Sequence, residues 1–194
     1  MPTSRSFTVL TVCTGNICRS PAMERLLRYQ FGEETGIRIH SGGLAAHDGE
    51  DMQPPMKQRV REYGADSEDF TARQITSDML EEADLILAAT RDHVQDMISA
   101  VPDAAERTFT VPELGELLAQ IDVESLPRDA SSPAETLSAV VTAVEAVRSD
   151  QGRQERTADD VVDPYMLPEG VYDEAFEQIR GPLEALGDRV LRAR

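Results

Sequence analysis

A cysteine and an arginine stand six positions apart near the start of the chain, in residues 12–21 (VCTGNICRSP). A cysteine thiolate is a strong nucleophile, and the arginine guanidinium group offers a rigid fork of N–H donors that fits two oxygens of a phosphate group. Cys13 and Arg19 therefore predict chemistry on an oxyanion, with Cys13 as the attacking group. The alternative interpretation is a buried structural cysteine beside a helix start.

The elements on either side place this segment at a helix start. The apolar, β-branched run at residues 7–12 predicts a buried strand, and the residues from Pro21 onward predict a helix with Ser20 as its N-cap. Free N–H groups and the positive end of the helix dipole favour an anion there, and the same field favours the thiolate form of Cys13. The residues expected to bind phosphate are Thr14, Gly15, Asn16, Ile17, Cys18 and Arg19.

Composition excludes several classes of function. The chain has 194 residues and a formal net charge of -17, from 36 acidic and 19 basic residues, so nucleic acid and anionic membranes are poor partners. No apolar stretch is long enough to span a membrane and no signal peptide is visible, which predicts a cytoplasmic protein. The two cysteines share one loop and do not form a disulfide framework. The three histidines and two cysteines lack metal-ligand spacing, so no metal site is predicted.

Strand and helix patterns alternate along the chain. The predicted strands are residues 7–12, 36–41, 83–89 and 107–111, and the predicted helices are 21–32, 54–64, 77–82, 91–99, 112–121 and 169–191. This order predicts an α/β fold, a three-layer sandwich in which a four-stranded parallel sheet carries helices on both faces. Active sites of such sheets lie at the carboxyl ends of the strands, where Cys13, Ser41 and Thr90 all fall.

We expect a single domain over residues 1–194, with a helical insertion at about 122–160. Polar, turn-prone ends flank this insertion, and its middle has an apolar stripe at helical spacing. The stripe consists of Leu137, Val140, Val141, Val144 and Val147. It predicts either an extra helix packed on the domain itself or a face for a partner, including a possible homodimer.

Cleavage of a phosphate monoester also needs a proton donor for the leaving oxygen. Asp163 is the candidate, because Pro164 and Tyr165 fix its loop just before the last predicted helix. An Asp-Pro pair alone is most often a simple turn, so these residues by themselves leave the role of Asp163 open.

The chain resembles the low-molecular-weight protein tyrosine phosphatases. Residues 13–21 are similar to the phosphate loop of that family, and similar segments follow in the family's order at residues 39–43, 72–76, 83–87 and 163–165. The resemblance covers most of residues 7–114 and 160–191. It implies hydrolysis of phosphotyrosine in a protein substrate through a phosphocysteine intermediate, without a metal or an organic cofactor.

The resemblance also assigns roles to single residues. It makes Asp163 the general acid, in the Asp-Pro-aromatic motif that precedes the last helix of the family. It implies that Ser20 and Ser41 brace the phosphate loop together with Asn16. One departure is Phe70, since family members often have a histidine at that position in the network behind the loop.

Four residues keep two interpretations each. Cys18 is either a resolving thiol for oxidised Cys13 or a small buried packing residue. His47 either lines the pocket mouth or is a solvated loop residue. Tyr165 flanks the substrate ring or packs in the core, with the first favoured by its neighbour Asp163. Arg73 is a cation at the pocket rim or, slightly favoured, a structural ion-pair partner.

Three other activities are compatible with parts of the sequence. An arsenate reductase of this fold would need an external thiol, because the chain has no cysteine after Cys18. A phosphoarginine phosphatase typically has threonine where Ile17 stands, and the bulkier apolar side chain favours phosphotyrosine. A phosphate-binding module without catalysis would need neither Cys13 nor Asp163.

Overall fold

A computed structural model of the chain describes residues 6–32, 35–122, 126, 130–151 and 160–192. Its centre is a four-stranded sheet in which every neighbouring pair is parallel and the order is β2-β1-β3-β4. The strands are β1 (Phe7–Cys13), β2 (Ile37–Gly43), β3 (Leu85–Ala88) and β4 (Thr108–Thr110). The predicted parallel sheet is therefore confirmed.

Helices cover both faces of the sheet. They are α1 (Arg19–Phe31), α2 (Pro54–Tyr63), α3 (Ser77–Glu82), α4 (Arg91–Ala100), α5 (Val111–Leu118), α6 (Pro133–Asp150) and α7 (Glu169–Arg192), with a 3-10 helix at Pro102–Arg107. Val9 and Leu87 belong to a large core with α1, α2, α5, α6 and α7, whereas Leu10 and Ile86 belong to a smaller core with α3 and α4. This alternation confirms the three-layer sandwich. Within the described ranges, no helix is long and apolar enough to cross a bilayer.

The strand β2 extends two residues beyond the predicted range 36–41 and includes both glycines at its end. Gly42 pairs with Val12 and Gly43 pairs with Cys13, so the strand continues to its last glycine. A Cβ atom at Gly43 would lie 2.5 Å from the Thr14 carbonyl oxygen. Glycine is needed here because the strand passes close to the loop that follows β1, not because the strand has to end.

The predicted N-cap of α1 is also wrong. The helix begins at Arg19, its N-cap residue is Cys18, and no side chain caps it. The Ser20 hydroxyl instead contacts the Cys13 sulfur and accepts a hydrogen bond from the Asn16 side chain. The Ser20 hydroxyl therefore lies behind the phosphate loop, where it contacts Cys13 and Asn16 instead of capping the helix.

The apolar stripe of the insertion lies on α6 and is buried within the chain. Leu137, Val140, Val141 and Val144 are 5% exposed or less, and α6 packs against α5 and α7. The interpretation as a helix packed on the domain itself is confirmed, so the stripe gives no support for a homodimer. Residues 123–125, 127–129 and 152–159 of the insertion lie outside the described part of the chain.

Candidate active site

A pocket of about 80 Å³ opens at the carboxyl end of β1. The side chains and backbone that line it are Cys13, Thr14, Gly15, Ile17, Cys18, Arg19, His47, Asp163 and Tyr165. Every residue predicted for catalysis is in this set, and so are the rim candidates His47 and Tyr165. Asn16, Ser20 and Ser41 are fully buried and lie behind the pocket.

The backbone of the phosphate loop (residues 13–19) turns its carbonyl groups away from the pocket. The carbonyl oxygens of Thr14, Gly15 and Ile17 accept hydrogen bonds from the segment 45–53, at 2.9, 2.9 and 2.8 Å. Within the described part of the chain, the N–H groups of residues 14–18 have no hydrogen-bond partner. A ring of unused N–H donors at the start of a helix is a binding site for an anion.

Asn16 holds the loop in this shape. Its backbone φ is 54°, in the left-handed region that asparagine tolerates better than most residues. Its side-chain amide donates to the hydroxyl oxygens of Ser20 and Ser41, both at 2.9 Å, and accepts from the Arg73 backbone N–H at 2.9 Å. The strained turn is therefore fixed by three hydrogen bonds in a buried site.

A buried carboxylate extends this network. The Ser41 hydroxyl donates to Glu24 at 2.5 Å, and Arg28 pairs with the same carboxylate at 3.1 Å. The sequence analysis missed Glu24, whose signal is a charged residue on the face of α1 that packs against the sheet. Phe70 is 6% exposed and packs beside the Arg25 guanidinium group, so the position where the family often has histidine belongs to the core.

The Cys13 sulfur lies at the base of the pocket. Cys13 is only 2% exposed, and its Sγ is 3.0 Å from the Ser20 hydroxyl oxygen. The hydroxyl group is placed to donate to a thiolate sulfur, which is the nucleophilic form. The Cys13 sulfur thus has the Ser20 hydroxyl behind it and the N–H groups of the phosphate loop around it.

Arg19 connects the loop to the far end of the chain. Its Nη1 donates to the Val161 carbonyl oxygen at 3.1 Å, and its Nη2 pairs with Asp163 Oδ2 at 3.0 Å. Its Nε is buried and has no partner among the described residues. The guanidinium group therefore keeps its Nε–H, and a second N–H on each of Nη1 and Nη2, for an oxyanion while it pairs with the carboxylate of Asp163 at the pocket.

The acid segment (residues 160–165) is fixed by several elements before it reaches the pocket. The Val161 N–H donates to the carbonyl group after β3 at 2.9 Å, and the Val162 N–H donates to Gln178 of α7 at 2.9 Å. Asp160 accepts from the first N–H of α4 at 2.9 Å. These contacts hold Asp163 next to Arg19, although the two residues are far apart in the sequence.

Comparisons with known proteins agree with this geometry. Residues 8–148 match the family model for the low molecular weight phosphotyrosine protein phosphatases. The chain belongs to this family. A curated relative, the probable low molecular weight protein-tyrosine-phosphatase AmsI of Erwinia amylovora, is 36% identical over 101 residues, which span 52% of this chain and 68% of the relative.

Solved structures of similar proteins share the fold. The YwlE arginine phosphatase of Geobacillus stearothermophilus aligns with a TM-score of 0.67 at 22% identity, over 96% of this chain and 94% of that one. A low molecular weight protein tyrosine phosphatase from T. tengcongensis aligns with a TM-score of 0.63 at 26% identity, over 93% and 97%. This chain thus shares its fold with these solved structures.

Two rings meet at the mouth of the phosphatase pocket. His47 and Tyr165 form an edge-to-face pair with ring centroids 5.4 Å apart. Both rings line the pocket and both are part-exposed, which supports the interpretation of His47 and Tyr165 as rim residues. The Arg73 side chain does not line this pocket, which argues against the rim interpretation, and it has no ion-pair partner in the described ranges.

His93 is a site residue that the sequence analysis missed. Its Nε2 lies 2.9 Å from the Thr14 hydroxyl oxygen, and its Nδ1 lies 2.9 Å from the hydroxyl oxygen of Thr90, the N-cap of α4. Burial lowers the pKa of His93, and the nearby Arg19 charge lowers it further. His93 is therefore a neutral support for the phosphate loop, and its only local signal is the Thr-x-x-His spacing after β3.

Cys18 is buried in the phosphate loop, and its protonation state differs from the one expected for Cys13. Both cysteines are free thiols. Burial, with smaller contributions from Cys13 and Asp163, raises the pKa of Cys18 to about 12. Cys18 is therefore a neutral thiol at physiological pH. The described residues include no group of three or more histidines, cysteines or carboxylates that is arranged to hold a metal.

Proposed function

We propose that this phosphatase hydrolyses phosphotyrosine in proteins through a phosphocysteine intermediate. The observation that carries the proposal is the 3.0 Å contact between Arg19 and Asp163 in the pocket that contains Cys13. A nucleophile, an oxyanion-binding cation and a proton donor are the three groups that the reaction needs. Their convergence on one small pocket supports this chemistry over simple phosphate binding.

In the first step, the Cys13 thiolate attacks phosphorus and forms an S–P bond while the P–O bond to tyrosine breaks. Protonated Asp163 donates its proton to the leaving phenolic oxygen. The N–H groups of residues 14–18 and the Arg19 guanidinium group hold the three equatorial oxygens, where negative charge builds up. The Ser20 hydroxyl stabilises the sulfur before attack.

In the second step, water attacks phosphorus and the S–P bond breaks. Asp163, now a carboxylate, accepts the proton of that water. Inorganic phosphate leaves and the Cys13 thiolate is restored, with Asp163 protonated again, so that protons and electrons balance over the cycle. We propose that no metal or organic cofactor takes part, and we expect turnover to be unchanged by a chelator.

The pocket mouth supports a polypeptide substrate with an aromatic ester. Tyr165 and His47 offer ring faces and edges at the rim. Tyr165 is followed by Met166 and Leu167, which are 82% and 50% exposed and extend an apolar surface from the rim. This surface suits residues next to a phosphotyrosine. A catalytic thiol that stays free also fits a reducing, cytoplasmic compartment.

Phosphoarginine is the second candidate substrate, because one similar structure is named an arginine phosphatase. Ile17 argues against it here. Its side chain lines the pocket, and an apolar group beside the phosphate favours a phenyl ring over a charged guanidinium group. Arsenate reduction remains a third candidate that requires an added thiol.

The test compares kcat/KM for matched peptides that carry phosphotyrosine or phosphoarginine, together with arsenate reduction in the presence of glutathione. We expect at least a tenfold preference for phosphotyrosine, and a smaller preference in Ile17→Thr. Ile17→Val is the control, because it changes volume but adds no hydroxyl. A preference for phosphoarginine, or thiol-dependent arsenate turnover faster than ester hydrolysis, would overturn the proposal.

A further inference from the structure

A second and larger cavity, of about 680 Å³, lies along the outer edge of the sheet. It is bordered by α1, by the edge strand β2 and by the turn after α2. Four arginines and one histidine line it, and among the residues that the structure describes Asp66 is the one acidic residue in the lining. These basic residues are Arg25, Arg28, Arg38, Arg73 and His40. We call this cavity the arginine groove.

The positive charge of the groove contrasts with the rest of the chain. The protein has a formal net charge of -17 with only 19 basic residues, yet four of its arginines surround one concavity. The groove is therefore a local positive potential that attracts anions.

Much of the hydrogen-bonding capacity of the groove is unused. Arg38 and Arg73 have no ion pair or side-chain hydrogen bond within the described ranges. Arg25 is 7% exposed, its contact with Asp66 is a long 3.5 Å, and its Nε is buried without a partner among the described residues. Within the described ranges, Arg28 has the most contacts of the four: its Nε and Nη2 donate to the Ile39 carbonyl oxygen at 3.1 and 2.8 Å, and Nη2 pairs with Glu24. A buried donor without a partner costs free energy unless a ligand satisfies it.

The pKa of His40, which also lines the groove, responds to the same positive charge. Burial lowers its pKa, and the charges of Arg73 and Arg38 lower it further. Its Nε2 is buried and has no partner in the part of the chain that the structure describes. The imidazole is therefore neutral at physiological pH and adds a further polar atom with no partner to the groove.

We propose that the arginine groove binds a polyphosphate group. Arginine prefers phosphate because its planar fork makes paired hydrogen bonds to two oxygens, and several forks around one concavity suit a chain of phosphates better than one. The cavity volume is in the range of small-molecule sites. The half-exposed ring of Tyr29 at the rim adds a flat face for a base, so a nucleoside polyphosphate and an inorganic polyphosphate are the two sources of this chemistry.

The alternative is that the arginines only protect an edge strand. Charged side chains on an edge prevent pairing with another chain, and β2 is such an edge. That role needs charge on the exposed face but no cavity, and it does not explain the buried Nε of Arg25, which has no hydrogen-bond partner among the described residues. It also predicts no ligand affinity, so a binding experiment separates the two interpretations.

The experiment is calorimetric titration of the protein with sodium tripolyphosphate and, separately, with ATP, both without divalent cations. The variant is Arg38→Glu, and the matched control is Arg61→Glu, which makes the same charge change at an exposed arginine of α2 outside the groove lining. We expect the Kd to rise at least tenfold in Arg38→Glu and less than twofold in Arg61→Glu. Arg38→Gln, a milder change, should weaken binding by about threefold and covers the case in which the reversal impairs folding.

Turnover of an aryl phosphate should stay within twofold in both reversals, which separates the groove from the catalytic pocket. Tighter binding of ATP than of tripolyphosphate supports the nucleoside source, and equal affinity supports the inorganic one. Failure of both probes to bind at about 1 mM overturns the proposal. So does an equal loss of affinity in Arg38→Glu and Arg61→Glu, since the probes then respond to net charge or occupy only the catalytic pocket.

Discussion

The phosphate loop and the acid segment meet at one pocket, but different contacts hold them. The loop is one short stretch between β1 and α1, and its supports lie under it in the core. The acid segment reaches Arg19 from 142 positions along the chain, measured at Val161. Its first residues are fixed by hydrogen bonds, while Tyr165 and Met166 are 39% and 82% exposed.

This difference separates two demands of the reaction. The nucleophile and the anion-binding N–H groups need fixed positions, because they act on a charge that develops at one place. The proposed proton donor, Asp163, has to approach leaving groups of varied shape, and it lies on a segment whose first residues are fixed by hydrogen bonds and whose end is exposed. Substitutions should accordingly have large, uniform effects in the loop and smaller, substrate-dependent effects in the acid segment.

The largest effect is expected from Cys13→Ser. Aryl phosphate hydrolysis should fall below about a hundredth of the original activity, since a serine hydroxyl is a much weaker nucleophile than a cysteine thiolate. Binding of a phosphate analogue should remain measurable by calorimetry, because the loop N–H groups are unchanged. Activity above a hundredth for all leaving groups would show that another nucleophile does the work.

Asp163→Asn should come next and should depend on the leaving group. We expect kcat for phenyl phosphate to fall by about 10² to 10⁴, the usual range for a lost proton donor. For a nitrophenyl ester, whose leaving oxygen needs less protonation, the loss should be much smaller. An equal loss for all esters, measured across a series of phenols, would make Asp163 a structural residue.

A smaller effect is expected from substitution of Arg59, which holds the start of α7 and thereby the acid segment that precedes it. Its guanidinium group bonds Glu169 and Asp173 at the start of α7 and the Pro55 carbonyl oxygen of α2. Arg59→Met should lower the free energy of unfolding by about 1 kcal/mol, because both carboxylate partners are largely exposed. It should slow phenyl phosphate turnover several-fold.

Arg61→Met on the same helix is the control for this change, since Arg61 is exposed and outside the contact. Denaturant titration and the leaving-group series together test the idea. If Arg59→Met slows all esters alike, α7 docking also shapes the phosphate loop, and the two regions are less separate than the contacts indicate.

The smallest effect on basal activity, and the most specific readout, concerns Cys18. Both cysteines line one pocket, so a sulfenic acid on Cys13 can condense with Cys18 to a disulfide and water. Because the thiolate attacks and the pKa of Cys18 is about 12, this closure should be slow at pH 7 and rise about tenfold per pH unit. After brief peroxide treatment, dithiothreitol should restore activity in the original protein and much less in Cys18→Ser. Equal recovery of the two proteins would leave Cys18 as a packing residue.

The sequence predicted the loop half of the site because its signals are local. A β-branched run, a cysteine, a glycine-asparagine turn and a helix start follow one another within 20 residues, and each has a direct structural meaning. The strands and most helices were predicted for the same reason. The position of Asp163 needed the family resemblance, because nothing near Asp163 indicates which distant loop it will contact.

The errors came from residues whose partners are remote. Ser20 was predicted as an N-cap and β2 was predicted to end at Ser41, but contacts with the phosphate loop and the neighbouring strand decide both positions. Glu24 and His93 were missed since their contacts span 17 and 79 positions, to Ser41 and Thr14. Hydrophobic periodicity predicts which face is buried, but it does not predict which polar group will find a partner there.

The packing of α7 against α1 and α5 has a consequence for the order in which this enzyme becomes active as it is made. The ribosome completes the phosphate loop early, and domains generally acquire structure from the N-terminus during synthesis. The residues that carry Asp163 to the pocket emerge late, and α7 has to dock before they can stay there. A nascent chain that has formed its sheet but not its last helix should hold phosphate and cleave reactive esters, yet leave phosphotyrosine intact.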